Sequence, residues 1–393
     1  LTATFLFGLG TFAGTFAITL YTFAIMTKLT YEDASAADVK AYQALRAMGV
    51  SKYVAYIHGI LPEIIPGFLT NALYLLETNV RHSSILGYVG AGGIGLLLNE
   101  KISWLEYDKV GTILLMLFLT VCVIEYFSRY LAALIRKERT IKKEQARLLL
   151  LFLAALFLIC TFTLSLPDFS RTSPQTLRNM FAGFLQPDWS FFFSAEKDGL
   201  GYLLLETVCI AFIGTVIGAI VSAPLAFLNT KRFVPAPVSF LFNLVIMVIR
   251  SVPFLVYGLI FIRVSGPGAF TGVLTLAVCS IGLLTKRFTE ALDALDPRPY
   301  HALLAMGVRP LPAICHSVLP QLKPVFTSII LYRFDVNIRE ASVLGLVGAG
   351  GIGAPLIFSM NQYAWEKAGA IMLGLILFVW FIDMVSEKIG AGN

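Results

Sequence analysis

Long apolar runs separated by short polar loops recur along the whole chain. They fall at residues 5–27, from Pro62 through Leu73 and Leu76, and at about 110–135, 148–166, 202–228, 237–262, 269–286, 320–338 and 366–386. Most are near the roughly 20 residues that carry a helix across the apolar core of a bilayer. An all-α, polytopic membrane fold of about nine spans is predicted.

The loops carry their own helix signals. Asp38 stands where it can cap a helix through Tyr42, Leu45 and Met48, and Gly49 stands where a left-handed C-terminal cap is usual. Asp296-Pro297, Tyr300, Leu303, Met306 and Gly307 repeat that pattern, with Pro in the first turn. A short capped helix in a polar loop is therefore predicted twice.

The pattern is part of a longer repeat. Leu-Gly-Leu-Val-Gly-Ala-Gly-Gly-Ile-Gly at 344–353 returns almost unchanged at 86–95, and residue 344 falls 258 positions after residue 86. The same offset aligns Ala47–Gly95 with Ala305–Gly353 without a gap, and 24 of those 49 positions are identical. The chain is a tandem duplication. Six spans separate equivalent points, an even number, so the two copies run parallel in the membrane. Three regions follow: an N-terminal repeat at 1–135, a basic loop with one span and an external segment at 136–200, and a C-terminal repeat at 201–393. Gly8-Leu9-Gly10 aligns with Gly266-Pro267-Gly268, so the first copy is expected to lack counterparts of the spans at 202–228 and 237–262, as a fragment or as a shortened copy. No basic n-region precedes the first apolar run, and no signal peptide is expected.

Composition agrees with this class. Hydrophobic residues make up 57% of the chain, charged residues only 14%, and mean hydropathy is +0.79. The net charge of +6 sits largely in short loops beside spans, which the positive-inside bias explains without nucleic acid. Arg136, Lys137, Arg139, Lys142, Lys143 and Arg147, against Glu138 and Glu144, place the 136–147 loop in the cytoplasm. Counting forward puts 167–201 outside, and Lys231, Arg232, the second capped helix and the C-terminus inside. The five cysteines are scattered among apolar runs without metal-ligand spacing and predict neither a disulfide framework nor a metal site.

Several constellations invite chemistry. Gly90-x-Gly92-x-x-Gly95 and Gly348-x-Gly350-x-x-Gly353 match a dinucleotide fingerprint literally, but each follows a membrane span rather than a strand, so tight helix packing or a re-entrant turn is expected instead. Glu77, Asn79 and Arg81 precede the first glycine-rich segment, and Asp335, Asn337, Arg339 and Glu340 the second. Arg250 stands mid-span before Ser251-Val252-Pro253. Intramembrane arginines pair internally, with Glu77, Asp335 or Glu206 as partners, line an anion pathway, or snorkel to the interface, and the sequence leaves these open. His58 and His316 are read as interfacial. No P-loop and no repeated catalytic set is present, so an enzyme is not expected.

Glu290-Ala291, Ala305-Met306-Gly307 and Leu319-Pro320 together resemble the EAA loop of ABC importer permeases. Ala47-Met48-Gly49 and Leu61-Pro62 repeat it, with Glu32-Asp33 where the family has Glu-Ala. Tyr332 to Arg339, Ser342 to Gly353, Glu206-Thr207 and Arg250-Ser251-Val252-Pro253 resemble the phosphonate/phosphite branch. The departures are Leu75-Leu76-Glu77 in place of Arg333-Phe334-Asp335, and no counterpart of Glu206 or Arg250 in the first copy.

The resemblance implies a type I importer transmembrane fold in a bacterial inner membrane, with two cytoplasmic helices docking a separate ATP-binding dimer. ATP and Mg are then held by that partner and no cofactor by this chain. It further implies an extracytoplasmic binding protein, a phosphorus oxyanion as cargo, and a single fused chain supplying the pore instead of a homodimer. Methionine or another small metabolite is the nearest alternative cargo. A secondary carrier is the rival mechanism.

Overall fold

A computed structural model of the chain describes residues 7, 10–88, 92–135, 151, 154–155, 157–163, 174–194 and 199–391. The described residues are helical throughout, without a strand. The basic loop 136–147 and about half of the predicted span 148–166 lie outside them. The chain divides after Ser173 into two compact units.

The N-terminal unit holds α1 (Thr11–Ala36), α2 (Lys40–Ala47), α3 (Lys52–Gly59), α4 (Leu61–Tyr88), α5 (Ile94–Ser103) and α6 (Tyr107–Ile135). The C-terminal unit opens with α7 (Pro174–Leu185) and α8 (Trp189–Phe192), which pack on the last helix. It continues with α9 (Leu200–Asn229), α10 (Ala236–Ser251), α11 (Phe254–Ser265), α12 (Ala269–Ala294), α13 (Arg298–Ala305) and α14 (Pro310–Ala313). A π-turn (Ile314–Val318), α15 (Leu319–Leu344), α16 (Gly353–Asn361) and α17 (Trp365–Ala391) complete it.

The duplication reaches the backbone. Adding the offset of 258 to α1 and α2 gives the limits of α12 and α13 to the residue. α4 matches α15, α5 matches α16 and α6 matches α17 within a few residues at their ends. The copies differ between the short helix and the long span that follows it. Gly59 sits so close to Tyr42 that a Cβ would come within 2.8 Å of its backbone nitrogen. Ser317 occupies the equivalent place with a Cβ of its own, and there the helix widens into the π-turn.

Eight of the nine predicted spans lie in long apolar helices or bent helix pairs. The run at 237–262 is not one straight helix. It breaks between α10 and α11 with a bend of 85°. Pro253 has no N–H to continue the ladder, and Val252 before it is held extended (φ −83°, ψ 123°). Arg250 therefore stands at the end of a half-helix, not mid-span.

Small residues set the closest contact in the C-terminal unit. Gly214 and Gly218, one turn apart on α9, face α12, and a Cβ at Gly218 would lie 2.4 Å from that of Ser280. The core beneath holds Ala226, Leu284, Phe288, Leu292, Val318 and Leu322, with Phe288 and Phe326 stacked at 3.9 Å.

Leu105 and Tyr363, equivalent positions after α5 and α16, both adopt left-handed backbone (φ 59° and 58°) without being glycine. A side chain there costs about 1–2 kcal/mol, and glycine gives back part of that through its greater freedom when unfolded. Leu105, 57% exposed, has little packing to lose. Leu105→Gly is expected to gain about 0.5–1 kcal/mol, read as a higher unfolding temperature in detergent.

Candidate functional site

The two short helices form where the sequence predicts, but Val39 and Pro297 hold the N-cap places and the aspartates stand one residue ahead of them. Asp38 Oδ1 accepts from the Lys40 N–H at 2.9 Å, and Asp296 Oδ1 from the Arg298 N–H at 3.0 Å. At the other end Gly49 (φ 82°) donates to Arg46 O while Val50 donates to Leu45 O. Gly307 (φ 81°) and Val308 repeat these bonds to Leu304 O and Leu303 O. This is the reversal that a left-handed residue permits. Neither helix buries any residue. Met48 and Met306, the turn residues after Ala47 and Ala305, are 70% and 69% exposed.

Each copy thus presents a short surface helix followed by an exposed methionine. Around it, Glu32 is exposed near the end of α1, while Glu290 on α12 pairs with Arg287 at 3.3 Å and Lys286 at 3.8 Å. Ala291 packs against the same buried cluster as Tyr300 of α13. Leu61-Pro62 and Leu319-Pro320 open the long helices α4 and α15.

The second candidate region lies on α15. Arg333, Asn337 and Glu340, spaced four and three apart, share one face and turn inward. Asn337 is fully buried, and its amide donates to Thr215 of α9 at 2.7 Å and to Ser280 of α12 at 2.9 Å. Arg333 donates to the same Ser280 hydroxyl at 3.1 Å, and its guanidinium forks onto Glu340 at 2.8 and 3.3 Å. The pair is largely enclosed, with side-chain exposures of 5% and 19%. Asp335 and Arg339 pair with each other on another part of α15, where Arg339 is 52% exposed and Asp335 12%.

The N-terminal copy keeps one strand of this network. Asn79 donates to Thr22 of α1 at 2.8 Å, and Asn79 and Thr22 are the counterparts of Asn337 and Ser280. Leu75 replaces Arg333 and is buried, and His82 replaces Glu340 and sits edge-on to Tyr21. Glu77 is half-buried on α4; the side chain of Arg81 lies outside the described residues.

The glycine-rich segment closes the C-terminal layer. Gly348, Gly350 and Gly351 all have positive φ, and Gly350 packs so tightly on the start of α12 that a Cβ would meet Ala269 Cα at 2.7 Å. Gly348 O accepts from the Gly268 N–H, and the Ile352 N–H donates to the Thr207 hydroxyl. The segment is a turn packed into the bundle, and backbone approach explains its glycines. Glu206 is half-buried beside Thr207, and Arg250 crosses α12 at Gly282, whose Cβ would lie 3.0 Å from the arginine Cγ.

Sequence reasoning grouped Asp335, Asn337, Arg339 and Glu340, and the structure divides them: Asn337 and Glu340 join Arg333, while Asp335 and Arg339 form their own pair. The inward roles of Arg333, Thr215 and Ser280 were missed. The spacing of 333, 337 and 340 on a spanning helix was the available signal.

The profile of the family described as "Binding-protein-dependent transport system inner membrane component" matches residues 3–141 and 214–389, most of the chain and both copies. The chain belongs to this family. It is a multi-pass permease component of an ABC importer in a bacterial inner membrane, a class that works with ATPase and binding-protein partners.

Among its curated relatives, the permease is 28% identical over 387 residues to the phosphate-import permease protein PhnE of Mycolicibacterium smegmatis, covering 96% of this chain and 72% of the relative. It is 36% identical over 184 residues to the phosphite transport system permease protein PtxC of Stutzerimonas stutzeri, covering 47% of this chain and 67% of the relative.

Proposed function

We infer that this permease imports phosphonate, phosphite or a related phosphorus oxyanion, driven by an ATP-binding dimer that docks on α2 and α13 from the cytoplasm. The observation that carries the docking is repetition. Two helices 258 residues apart share their limits, their caps and a bare Met before a left-handed Gly. Neither helix buries a residue of its own, which suits a surface made for another chain.

Closure of the ATPase dimer would move both helices and, through Leu61-Pro62 and Leu319-Pro320, the long helices α4 and α15. A partner can drive such a change only through contacts that differ between the two states. Arg339, half exposed and charge-balanced by Asp335, is assigned to the anion path, with Arg81 as its counterpart and Glu206, Arg250, Glu77 and Asn79 along the same route. The Asn337 layer holds the helices that carry it. One chain supplies two docking helices, so one chain would serve one ATPase dimer.

The cargo class rests on the phosphate and phosphite named for its relatives. The test is ATPase activity of the permease assembled with its ATPase and binding protein in lipid nanodiscs, across phosphonates, phosphite, phosphate and methionine. Stimulation by a phosphorus oxyanion is expected. Stimulation by methionine alone would replace the cargo, and an assembly that retains no ATPase would favour a secondary carrier.

A further inference from the structure

The docking helices are equivalent in shape but are tied to the membrane helices by different side chains. In the C-terminal unit the turn Thr230–Pro235, between α9 and α10, reaches across to the end of α12, directly ahead of docking helix α13. Arg232 donates from Nη1 to Leu292 O at 3.0 Å and Leu295 O at 2.8 Å, and from Nη2 to Asp293 O at 3.4 Å. A guanidinium on the last carbonyls of a helix satisfies acceptors that have no partner within the helix, and it sits at the negative end of the helix dipole.

Further contacts in the same turn strengthen the tie. The Thr230 hydroxyl donates to Asp293 Oδ1 and accepts from the Arg232 N–H, fixing the loop that carries the arginine. Asn229 donates to Thr289 one turn earlier on α12. Phe233 then packs edge-on against Tyr300 of α13 with ring centroids 5.6 Å apart, and on its other side against Phe227 of α9, also at 5.6 Å.

Among the described residues, the N-terminal copy has side-chain ties of its own. Asp33, near the end of α1, accepts from Asn71 of α4 at 2.9 Å, and Glu63 at the start of α4 accepts from the Asp38 N–H at 3.0 Å. The C-terminal equivalents are Ala291, Ile329 and Gln321. Ala291 and Ile329 carry no polar group, and Gln321 donates to Ser317 O.

We propose that Arg232, Thr230 and Phe233 are positioning residues of energy coupling: they lock docking helix α13 to α9 and α10, whereas docking helix α2 is locked to α4 by Asp33, Asn71 and Glu63. Motion of α13 then reaches two routes, α15 through α14 and the π-turn, and the broken pair α10–α11 through the turn at Thr230–Pro235. Motion of α2 reaches α4. This rests on the docking assigned to α2 and α13 above.

The test compares Arg232→Ala, Arg232→Lys, Phe233→Leu and Thr230→Val with wild type, each in the full permease with its ATPase and binding protein in proteoliposomes. Uptake per ATP hydrolysed is the readout, and retention of the ATPase on the purified permease is measured in parallel. Arg232→Ala is expected to keep its ATPase and lose about 5- to 50-fold in uptake per ATP, the range of ordinary coupling energies. Arg232→Lys should recover only part of it, because a single ammonium cannot span three carbonyls as the guanidinium fork does.

Should Arg232→Ala fail to fold, Thr230→Val, which keeps shape and removes the two hydrogen bonds of the hydroxyl, must still lower the ratio. Wild-type ratios in Thr230→Val and Phe233→Leu overturn the proposal while leaving the docking intact. Loss of the ATPase from wild-type permease overturns the docking itself and this proposal with it.

Discussion

Arg333→Ala is expected to cost about 3–5 kcal/mol of stability, because it leaves Glu340 in the bundle without the guanidinium that balances it. The same change removes one of the donors to Ser280, the hydroxyl that also receives Asn337. The double variant Arg333→Leu/Glu340→Leu removes both charges and should recover most of the loss, since apolar side chains of similar volume often replace a buried pair without penalty. Reversible unfolding in mixed micelles, run as a double-mutant cycle, reads the difference. Equal losses in the single and double variants would mean that the pair is not a coupled unit.

Gly307→Val should abolish uptake while the separate ATPase subunit, alone, hydrolyses ATP as before. Gly307 has φ 81°, and nothing lies within 4 Å of the place a Cβ would take, so space is not the obstacle. The obstacle is the left-handed backbone, which a β-branched residue resists, so the turn that ends α13 must open and Met306 must move. Gly49→Val should do the same to α2, since Gly49 has φ 82° and the same open surroundings. Uptake assays in proteoliposomes decide this, and wild-type transport in Gly307→Val would remove α13 from the coupling path.

Much of this arrangement could be read from the chain because the duplication prints it twice. The turns at Asp38 and Asp296 and the left-handed glycines at 49 and 307 are local features, set by a few neighbouring residues, and local features are what sequence carries best. The break at Val252-Pro253 was hidden by composition. The run at 237–262 is apolar enough to cross as one helix, and only the missing N–H of Pro253, with the extended Val252 before it, bends it.

The polar layer was half legible. Asn337 stood out as a polar residue in an apolar span, but its partners Thr215 and Ser280 lie 122 and 57 residues away. They meet it because Gly214 and Gly218 let α9 and α12 approach closely, a contact no spacing within α15 reveals. The Arg232 tie was invisible for a related reason. Its acceptors are backbone carbonyls at the end of α12, and carbonyls leave no mark in a sequence.

The docking of α2 and α13 is the claim on which the rest depends, and site-directed cross-linking tests it directly. Met48→Cys and Met306→Cys, each introduced into permease whose own five cysteines are replaced, would be treated with a short bifunctional thiol reagent in the assembled complex. Both positions are expected to link to the ATPase subunit and, once linked, to stop ATP-driven uptake. Failure of both to link in a complex that still holds its ATPase and transports would contradict the account.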